Sequence, residues 1–291
     1  MKENQVSLTA IISAYIRGYH AMNETPKIFD DFLALALIPE ERRTLIEQGF
    51  ASGLTTGGGA GKMTTLPAML QAMGLPQVVS RARYTEEILE QAVEQGAEQY
   101  VILGAGLDTL AFRRPELLEQ LHLFEVDHPA TQAFKQERLA ELGWEISPHL
   151  HFVPVNFAKE SLAEALRRTA YDPHKKTVVS WLGVTMYLSR DEVLATMGSI
   201  AEMIPAGSAV IFDYFTPTNT ELIMQAELRK IGEPFQTSFN PDELARDLSR
   251  LGFSLHEHAS PAVIQQRYFQ GQTDYYASEH VHFGWFTTTT R

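Results

Sequence analysis

Two glycine-rich segments of this sequence contain residue types that could hold a ligand. The first, "LTTGGGAGKMTT" at residues 54–65, has the composition of a phosphate-binding loop. Such a loop needs G-x-x-x-x-G-K-[ST] between a strand and a helix. When Gly61 and Lys62 are taken as the G-K pair, Thr56 replaces the first glycine and Met63 replaces the hydroxyl residue. The spacing argues against a nucleoside triphosphate site, and we interpret the segment as a linker.

The second segment, "YVILGAGLDTLAFR", is a predicted strand followed by glycines and a helix that begins near Asp108 or Thr109. Gly104 and Gly106 would let a ligand approach the backbone at the carboxyl end of the strand. About 20 residues later, Asp127 ends the strand "LFEVD", where an acid can accept hydrogen bonds from both hydroxyls of a ribose. This order of elements predicts a ribose-containing ligand.

The residues after the second glycine pair indicate which ligand this is. A dinucleotide fingerprint would place its third glycine at position 109, where this chain has Thr109. Asp108 would also place a carboxylate where a pyrophosphate needs N–H donors. Both residues argue against NAD and favour a ligand without phosphates, such as S-adenosylmethionine. The alternatives are an NAD-dependent oxidoreductase and a non-catalytic protein that binds S-adenosylmethionine.

Composition excludes several other functions. The 291 residues include 36 acidic and 24 basic side chains, a net charge of −12 that would repel nucleic acid. The absence of cysteine excludes disulfides, thiolate zinc sites and cysteine nucleophiles. The histidines of "HEHA" and "EHVH" lack a metal-ligand spacing, so we expect no metal. The first 20 residues are typical of neither a signal peptide nor a membrane span, and we expect a cytoplasmic protein with no membrane partner.

The predicted elements divide the chain into two parts. Residues 1–77 are predicted to form a helical cap that ends in the glycine-rich linker, and residues 78–291 the ligand-binding domain. In the second part, strands alternate with helices, which predicts an α/β fold with a doubly wound, Rossmann-like sheet. Its first helix, "TEEILEQAVEQGA", is predicted to be capped by Thr85 and to stop at Gly96. Little helix is expected between the last two strands, which should form a terminal antiparallel pair. The seven predicted strands are "QYVILGAG", "LHLFEVD", "LHFVPVNF", "KTVVSWLGVTMYL", "SAVIFDYF", "SLHEHA" and "HVHFGWFTTTT".

With these motifs in order, the sequence resembles the class I S-adenosylmethionine-dependent methyltransferases, and among them the leucine carboxyl methyltransferases and their bacterial small-molecule relatives. The resemblance extends from about Arg81 to Phe286. It implies S-adenosylmethionine as cofactor and O-methylation of a small-molecule hydroxyl or carboxylate. The motifs that carry it are "SRARYTEEIL", "QYVILGAGLDTLAFR", "LFEVDHPATQAFK", "VPVNF", "VVSWLGVTMYL" and "HFGWFTT".

The resemblance also implies roles for individual residues around the cofactor. Arg83 matches the arginine that pairs with the cofactor carboxylate, for which a guanidinium fork is suited. Gly104, Ala105 and Gly106 match the loop under the methionine moiety, and Asp127 matches the acid that binds the ribose.

Two positions depart from the family pattern. Asn156, which precedes Phe157 beside the adenine, stands where the family usually has an aspartate. Leu182 stands before Gly183 where many relatives have an acid. His128, directly after the ribose acid, is expected to touch the ribose or the adenine edge.

The acceptor side of the site is predicted less directly. A base is needed only if the acceptor carries a proton at neutral pH, and His20 in the cap is the predicted base. Tyr187 is expected near the sulfonium, where it could take part in catalysis.

The linker is predicted to order over the pocket when cofactor binds, with Lys62 reaching the cofactor carboxylate or the acceptor. The predicted substrate contacts are Tyr15, Arg17, Tyr19 and Tyr214.

Overall fold

The structure is a computed structural model that describes residues 6–51, 66, 70–71, 74–157, 159–217, 235–271 and 279–289. The glycine-rich linker, with Lys62, lies outside the described residues. The strands of the protein are β1 (Gln99–Leu103), β2 (His122–Asp127), β3 (Leu150–Pro154), β4 (Thr177–Trp181), β5 (Ala209–Phe215), β6 (Phe253–Ala259) and β7 (Val281–Thr288). Its α-helices are α1 (Leu8–Asn23), α2 (Glu40–Ala51), α3 (Leu75–Glu94), α4 (Leu110–Arg113), α5 (Pro115–Leu118), α6 (Pro129–Glu141), α7 (Leu162–Leu166), α8 (Arg190–Met203), α9 (Pro241–Arg250) and α10 (Pro261–Tyr268). None of these helices is long and apolar enough to cross a membrane.

The seven strands form one sheet in the order β3-β2-β1-β4-β5-β7-β6. The first five strands are parallel, and β7 lies antiparallel between β5 and β6. This confirms the predicted doubly wound sheet with an antiparallel terminal pair. The strand order reverses between β1 and β4, and in such sheets the carboxyl ends of the strands at the reversal form the ligand crevice.

Helices cover both faces of the sheet, and β1, β4 and β5 are therefore buried along their whole length. One hydrophobic cluster joins one sheet face to α1 and α3, and a second joins the other face to α7, α8 and α9. The charged residues Glu125, Asp127 and Asp213 alternate with the apolar residues that enter the second cluster, so they lie on the face covered by α1 and α3.

The N-terminal cap is helical as predicted, with a 3-10 helix at Ala34–Leu37 and α2 starting directly after Pro39. It is packed on the sheet domain: Ile11 and Ala14 of α1 share the hydrophobic cluster of Val79 in α3. The division of the chain into domains at residues 77 and 78 stays a prediction, and α3 runs across that boundary.

Two local predictions were wrong. Thr85 does not cap a helix: α3 begins ten residues earlier, after Gly74, which has a φ of 91°, and Thr85 is buried within it. The last two strands are separated by the eight-residue helix α10, capped by Ser260. The helix signal in each case was a proline at the start of the helix, Pro76 and Pro261, a position that proline favours.

A stacked pair of histidines on β6 and β7 is expected to make stability depend on pH. His258 Nε2 lies 2.8 Å from His282 Nδ1, and burial, followed by the neighbouring His258 and His280, lowers the pKa of His282 to about 4. The unfolded chain binds this proton near pH 6.5 and the folded chain does not, so stability is fully present above about pH 6.5 and falls as the pH drops toward 4.

We expect His282→Gln to reduce the loss of unfolding free energy between pH 7 and pH 4.5 by about 1–2 kcal/mol. Urea unfolding at several pH values measures this loss. His174→Gln, at an exposed histidine, should leave the pH dependence unchanged. Equal pH dependence in wild type and His282→Gln would contradict the expectation.

Candidate functional site

The glycine loop after β1 lies at the carboxyl edge of the sheet, where the strand order reverses. Gly104 and Gly106 have φ values of 77° and 54°, which glycine adopts without strain. The Gly104 and Ala105 N–H groups donate to the Val126 carbonyl at 2.8 and 3.1 Å, which fixes the loop to β2. A Cβ on Gly104 would lie 2.7 Å from Val184 Cγ2, so the loop after β4 also requires glycine there.

Asp127 ends β2 beside this loop. Its Oδ2 accepts a hydrogen bond from the Gly106 N–H at 2.5 Å, and its Oδ1 accepts one from the His128 N–H at 2.6 Å. Burial raises the pKa of Asp127, while these two N–H donors act in the opposite direction. A carboxylate has about four acceptor positions, so two remain for ligand hydroxyls. The structure therefore holds Asp127 in a fixed orientation that suits a ribose.

His128 caps the next helix. Its Nδ1 accepts from the Ala130 N–H at 3.3 Å, which assigns the ring proton to Nε2 and leaves that atom as a donor. The imidazole is only half-buried, next to the Asp127 carboxylate. This position agrees with contact to a ligand bound at Asp127.

Glu125 lies on the same face of β2 as Asp127 but is completely buried. It pairs with Lys135 of α6, and burial raises its pKa to about 7. This ion pair holds α6 against β2 and so supports the turn that carries Asp127.

Asn156 and Phe157 follow β3, next to the same strand end, because Val155 donates to the Asp127 carbonyl at 2.9 Å. The Asn156 carbonyl accepts from Lys159 and closes a turn. The Phe157 ring is 56% exposed, which leaves an apolar face for a flat ligand ring.

The loop after β4 carries Leu182 and Gly183, followed by a 3-10 helix at Thr185–Tyr187. Gly183 has a φ of 70°, and its N–H donates to Asp213 Oδ1 at 2.6 Å. The Tyr187 ring is half-buried and packs on Phe235, with ring centroids 5.7 Å apart.

An arginine that the sequence analysis did not select lies against this loop. Arg81 of α3 donates from Nη1 to Asp213 Oδ2 at 2.9 Å, and its side chain is 13% exposed. A Cβ on Gly183 would lie 2.7 Å from Arg81 Nη2, so the guanidinium lies directly on the glycine. Apart from Asp213, no acceptor for Arg81 occurs among the residues that the structure describes. Within that part of the chain, its other N–H groups remain available to an anionic ligand.

Arg83, the arginine predicted to bind the cofactor, lies on the exposed side of α3. Its side chain is 47% exposed and forms an ion pair with Glu87 one turn later at 2.8 Å. Glu87 also accepts from the Tyr268 hydroxyl of α10 at 2.8 Å. Arg81 and Arg83 are two positions apart on a helix, so their side chains point in nearly opposite directions.

His20 is placed inside the cap. It is 1% exposed, and its Nε2 accepts from the N–H groups of Ile28 at 2.9 Å and Phe29 at 3.5 Å. The proton is therefore on Nδ1, which has no partner among the described residues. Burial lowers the pKa of His20. The lone pair that a general base would use is occupied by the backbone.

The other predicted cap residues are also held by internal contacts. The Tyr15 hydroxyl donates to Glu47 at 3.0 Å, and its ring stacks on the half-buried Tyr19 at 6.4 Å. Arg17 donates from Nε to Asp31 at 2.8 Å and from Nη2 to the Leu107 carbonyl at 2.8 Å.

Tyr214 lies on the opposite face of the sheet from Asp213. Its ring is 3% exposed and is packed among Phe212, Phe239 and His282 in the second hydrophobic cluster. Tyr214 therefore lies near the carboxyl end of β5 but on the face away from Asp127 and Asp213. No group of histidines and acids that could hold a metal occurs within the described ranges.

The described groups at this edge fit S-adenosylmethionine. A half-buried carboxylate suits the ribose, an exposed phenyl ring suits the adenine, and an anchored guanidinium suits the amino-acid carboxylate. The N–H groups of Gly106 and His128, which could otherwise bind a phosphate, already donate to Asp127. The fold and this site together define a class I S-adenosylmethionine-dependent methyltransferase.

Comparison with known proteins gives the same result. The family model for leucine carboxyl methyltransferase matches residues 10–201. YktD of Bacillus subtilis (strain 168), named as a candidate S-adenosyl-L-methionine-dependent methyltransferase, is 36% identical over 289 residues, which cover 94% of this chain and 95% of YktD. Franean1_4929 of Parafrankia sp. (strain EAN1pec), named in the same way, is 30% identical over 76% of this chain and 67% of its own.

Among solved structures, a candidate methyltransferase from Thermobifida fusca YX aligns with a TM-score of 0.53 at 17% identity, covering 83% of this chain and 94% of that chain. This neighbour shares the fold, and the match to the family model together with the similarity to YktD shows that the chain belongs to the leucine carboxyl methyltransferase family. It is an S-adenosylmethionine-dependent methyltransferase, and the alternative of an NAD-dependent oxidoreductase is set aside.

Proposed function

We propose that this methyltransferase transfers the methyl group to a carboxylate oxygen of a small molecule. When bound, the cofactor would supply an electrophilic methyl group: the acceptor oxygen would bond to its carbon in line as the bond to the cationic sulfur breaks, with S-adenosylhomocysteine as the leaving group. Correct positioning of two reactants can lower such a barrier by about 7–11 kcal/mol without acid or base. The residues of this chain would therefore act mainly by binding and orienting.

We assign the cofactor contacts from the geometry of the strand ends. Arg81, anchored by Asp213, would hold the amino-acid carboxylate, and the two free acceptor positions of Asp127 would hold the ribose hydroxyls. Phe157 would cover the adenine, and His128 would donate from Nε2 at its edge.

The hydrogen bonding and burial of His20 are the reason for proposing a carboxylate acceptor. A hydroxyl acceptor must lose a proton, and a base typically contributes about 10²–10⁴-fold to such a step. The Nε2 lone pair of His20 is bonded to the backbone, and the ring is buried in the cap. A carboxylate is already ionised at neutral pH and needs no base. The description of the matching family, which names a carboxyl group as its acceptor, supports the same choice.

The charge and the placement of Tyr187 support a small acceptor. A net charge of −12 is unfavourable for binding nucleic acid. Tyr187 follows the Gly183 loop, is half-buried, and has a ring that could line the path of the methyl group.

The proposal is tested by transfer of labelled methyl from S-adenosylmethionine to matched pairs of carboxylic acids and alcohols or phenols. We expect label in the acids, in a product that releases methanol in mild base, as an ester does. Label confined to hydroxyls, in base-stable ethers, would overturn the carboxylate proposal.

The role of His20 is tested with the same assay. In His20→Gln the amide oxygen can still accept from Ile28, so we expect the rate of transfer to stay within about threefold of wild type, far from the 10²-fold or larger loss typical of a removed base. A loss of that size, in a variant whose unfolding midpoint is unchanged, would identify His20 as the base and favour a hydroxyl acceptor.

A further inference from the structure

A buried carboxylate joins the cap to the segment that follows the glycine loop. Asp31 lies between α1 and the 3-10 helix of the cap and is 1% exposed. Its Oδ2 accepts from Arg17 Nε at 2.8 Å, and its Oδ1 accepts from the Thr109 hydroxyl at 2.6 Å. Arg113 Nε lies 3.8 Å from the same Oδ1. One side chain thus contacts α1, the residue before α4, and α4 itself.

Two further contacts join α1 to the glycine loop. Arg17, while paired with Asp31, also donates to the Leu107 carbonyl at 2.8 Å, directly after Gly106. Ala10 lies against Gly106, since a Cβ on that glycine would be 3.0 Å from the Ala10 Cβ. The glycine loop is therefore held by β2 on one side and by the cap on the other.

The charges around Asp31 are balanced within the protein. Arg113 is 7% exposed and is also paired with Glu86 of α3, so two arginines and two carboxylates alternate in a buried group. Removing one member of such a group leaves its partner buried without compensation. Asp31 therefore determines where Arg17 and the hydroxyl of Thr109 are held.

We propose that Asp31 is a positioning residue that couples docking of the cap to binding of the cofactor. This inference rests on the cofactor site of the proposed function and adds a means of regulating it. By holding Thr109 and, through Arg17, the carbonyl of Leu107, Asp31 fixes the loop in the conformation that presents Gly106 to Asp127. Because coupling between two sites is reciprocal, cofactor binding must in turn stabilise the docked cap.

The adjacent residue provides a matched control. Asp30 is exposed and pairs with the surface residue Lys27 at 2.9 Å, so Asp30→Asn makes the same chemical change outside the buried group. Calorimetry with S-adenosylhomocysteine and hydrogen exchange of residues 8–23, with and without that ligand, would be measured for wild type, Asp31→Asn and Asp30→Asn.

In wild type and Asp30→Asn we expect the ligand to slow hydrogen exchange across α1. In Asp31→Asn we expect binding weaker by about tenfold, equivalent to about 1.4 kcal/mol, and loss of the ligand-induced protection. A purely structural role would raise exchange in α1 equally with and without ligand.

Thr109 supplies the second pair of variants, in case Asp31→Asn does not fold. Thr109→Ser keeps the hydroxyl that donates to Asp31 and should behave as wild type, whereas Thr109→Val should lose affinity and protection. If wild type binds the ligand but Asp31→Asn, or in its place Thr109→Val, retains full affinity and protection, the coupling is wrong. If wild type itself does not bind S-adenosylhomocysteine, the cofactor site of the proposed function is wrong, and the coupling proposal is then wrong as well.

Discussion

Replacing Arg81 with glutamine is expected to weaken binding of S-adenosylhomocysteine by about tenfold to a hundredfold, because hydrogen bonds to charged groups contribute about 1.5–3 kcal/mol. Arg81 lies on Gly183 and is anchored by Asp213, and its remaining donors have no acceptor in the described residues. Isothermal titration calorimetry measures the change directly.

Arg83→Gln is the matched control. Arg83 forms a half-exposed pair with Glu87 within one helix, and its loss should cost about 0.3–0.5 kcal/mol of folding stability. Because Arg83 points away from Asp213, affinity should change less than about twofold. Arg81→Gln also leaves Asp213 without its cation, so its unfolding free energy must be measured alongside. Arg81→Lys keeps the charge without the fork and should bind with intermediate affinity. Loss of affinity in Arg83→Gln but not in Arg81→Gln would contradict the assignment.

Asp127→Asn should have the other large effect, a loss of affinity of about a hundredfold together with destabilisation of about 1–3 kcal/mol. Both oxygens of Asp127 accept backbone N–H groups, from Gly106 and His128. In asparagine one of these oxygens becomes an NH₂ group, so a donor faces a donor and the turn must shift. The ribose then loses a correctly oriented acceptor.

Calorimetry and chemical denaturation of Asp127→Asn measure the two effects. Asp191→Asn, at an exposed acid in the first turn of α8, should change neither quantity appreciably. Wild-type affinity in Asp127→Asn would show that the ribose is bound elsewhere.

The features of the site that depend on local spacing could be predicted from the sequence. A strand, a glycine turn and a helix, followed by a strand that ends in Asp127, are adjacent in the chain. Their geometry therefore follows from the rules of a parallel sheet. The glycine loop and the Asp127 turn were found in this way, and the structure brings them together through the Gly106 N–H.

The choice between two arginines could not be made in the same way. With a helix predicted to start at Thr85, Arg81 and Arg83 both lie in front of it, and no helical face distinguishes them. Once α3 is seen to begin at Leu75, the two side chains point to opposite sides, and only Arg81 faces Asp213. In the sequence, Pro76 after Gly74 is the signal that indicates this earlier helix start.

The contacts of the cap residues could not be predicted from the sequence, because their partners are distant in sequence or are backbone groups. Arg17, a predicted substrate contact, is paired with Asp31 and bonded to the carbonyl of Leu107, 90 positions away. His20 has the residue type of a base, but the backbone of Ile28 occupies its acceptor nitrogen. Tertiary contacts of this kind leave no pattern in the residue types themselves.

The most direct test of the cofactor site is a crystal structure of the protein with S-adenosylhomocysteine. Our account predicts the ligand carboxylate at about 2.7–2.9 Å from the Arg81 guanidinium and the ribose hydroxyls on the Asp127 carboxylate. A ligand whose carboxylate is bound by Arg83, with Arg81 paired to Asp213 alone, would contradict it.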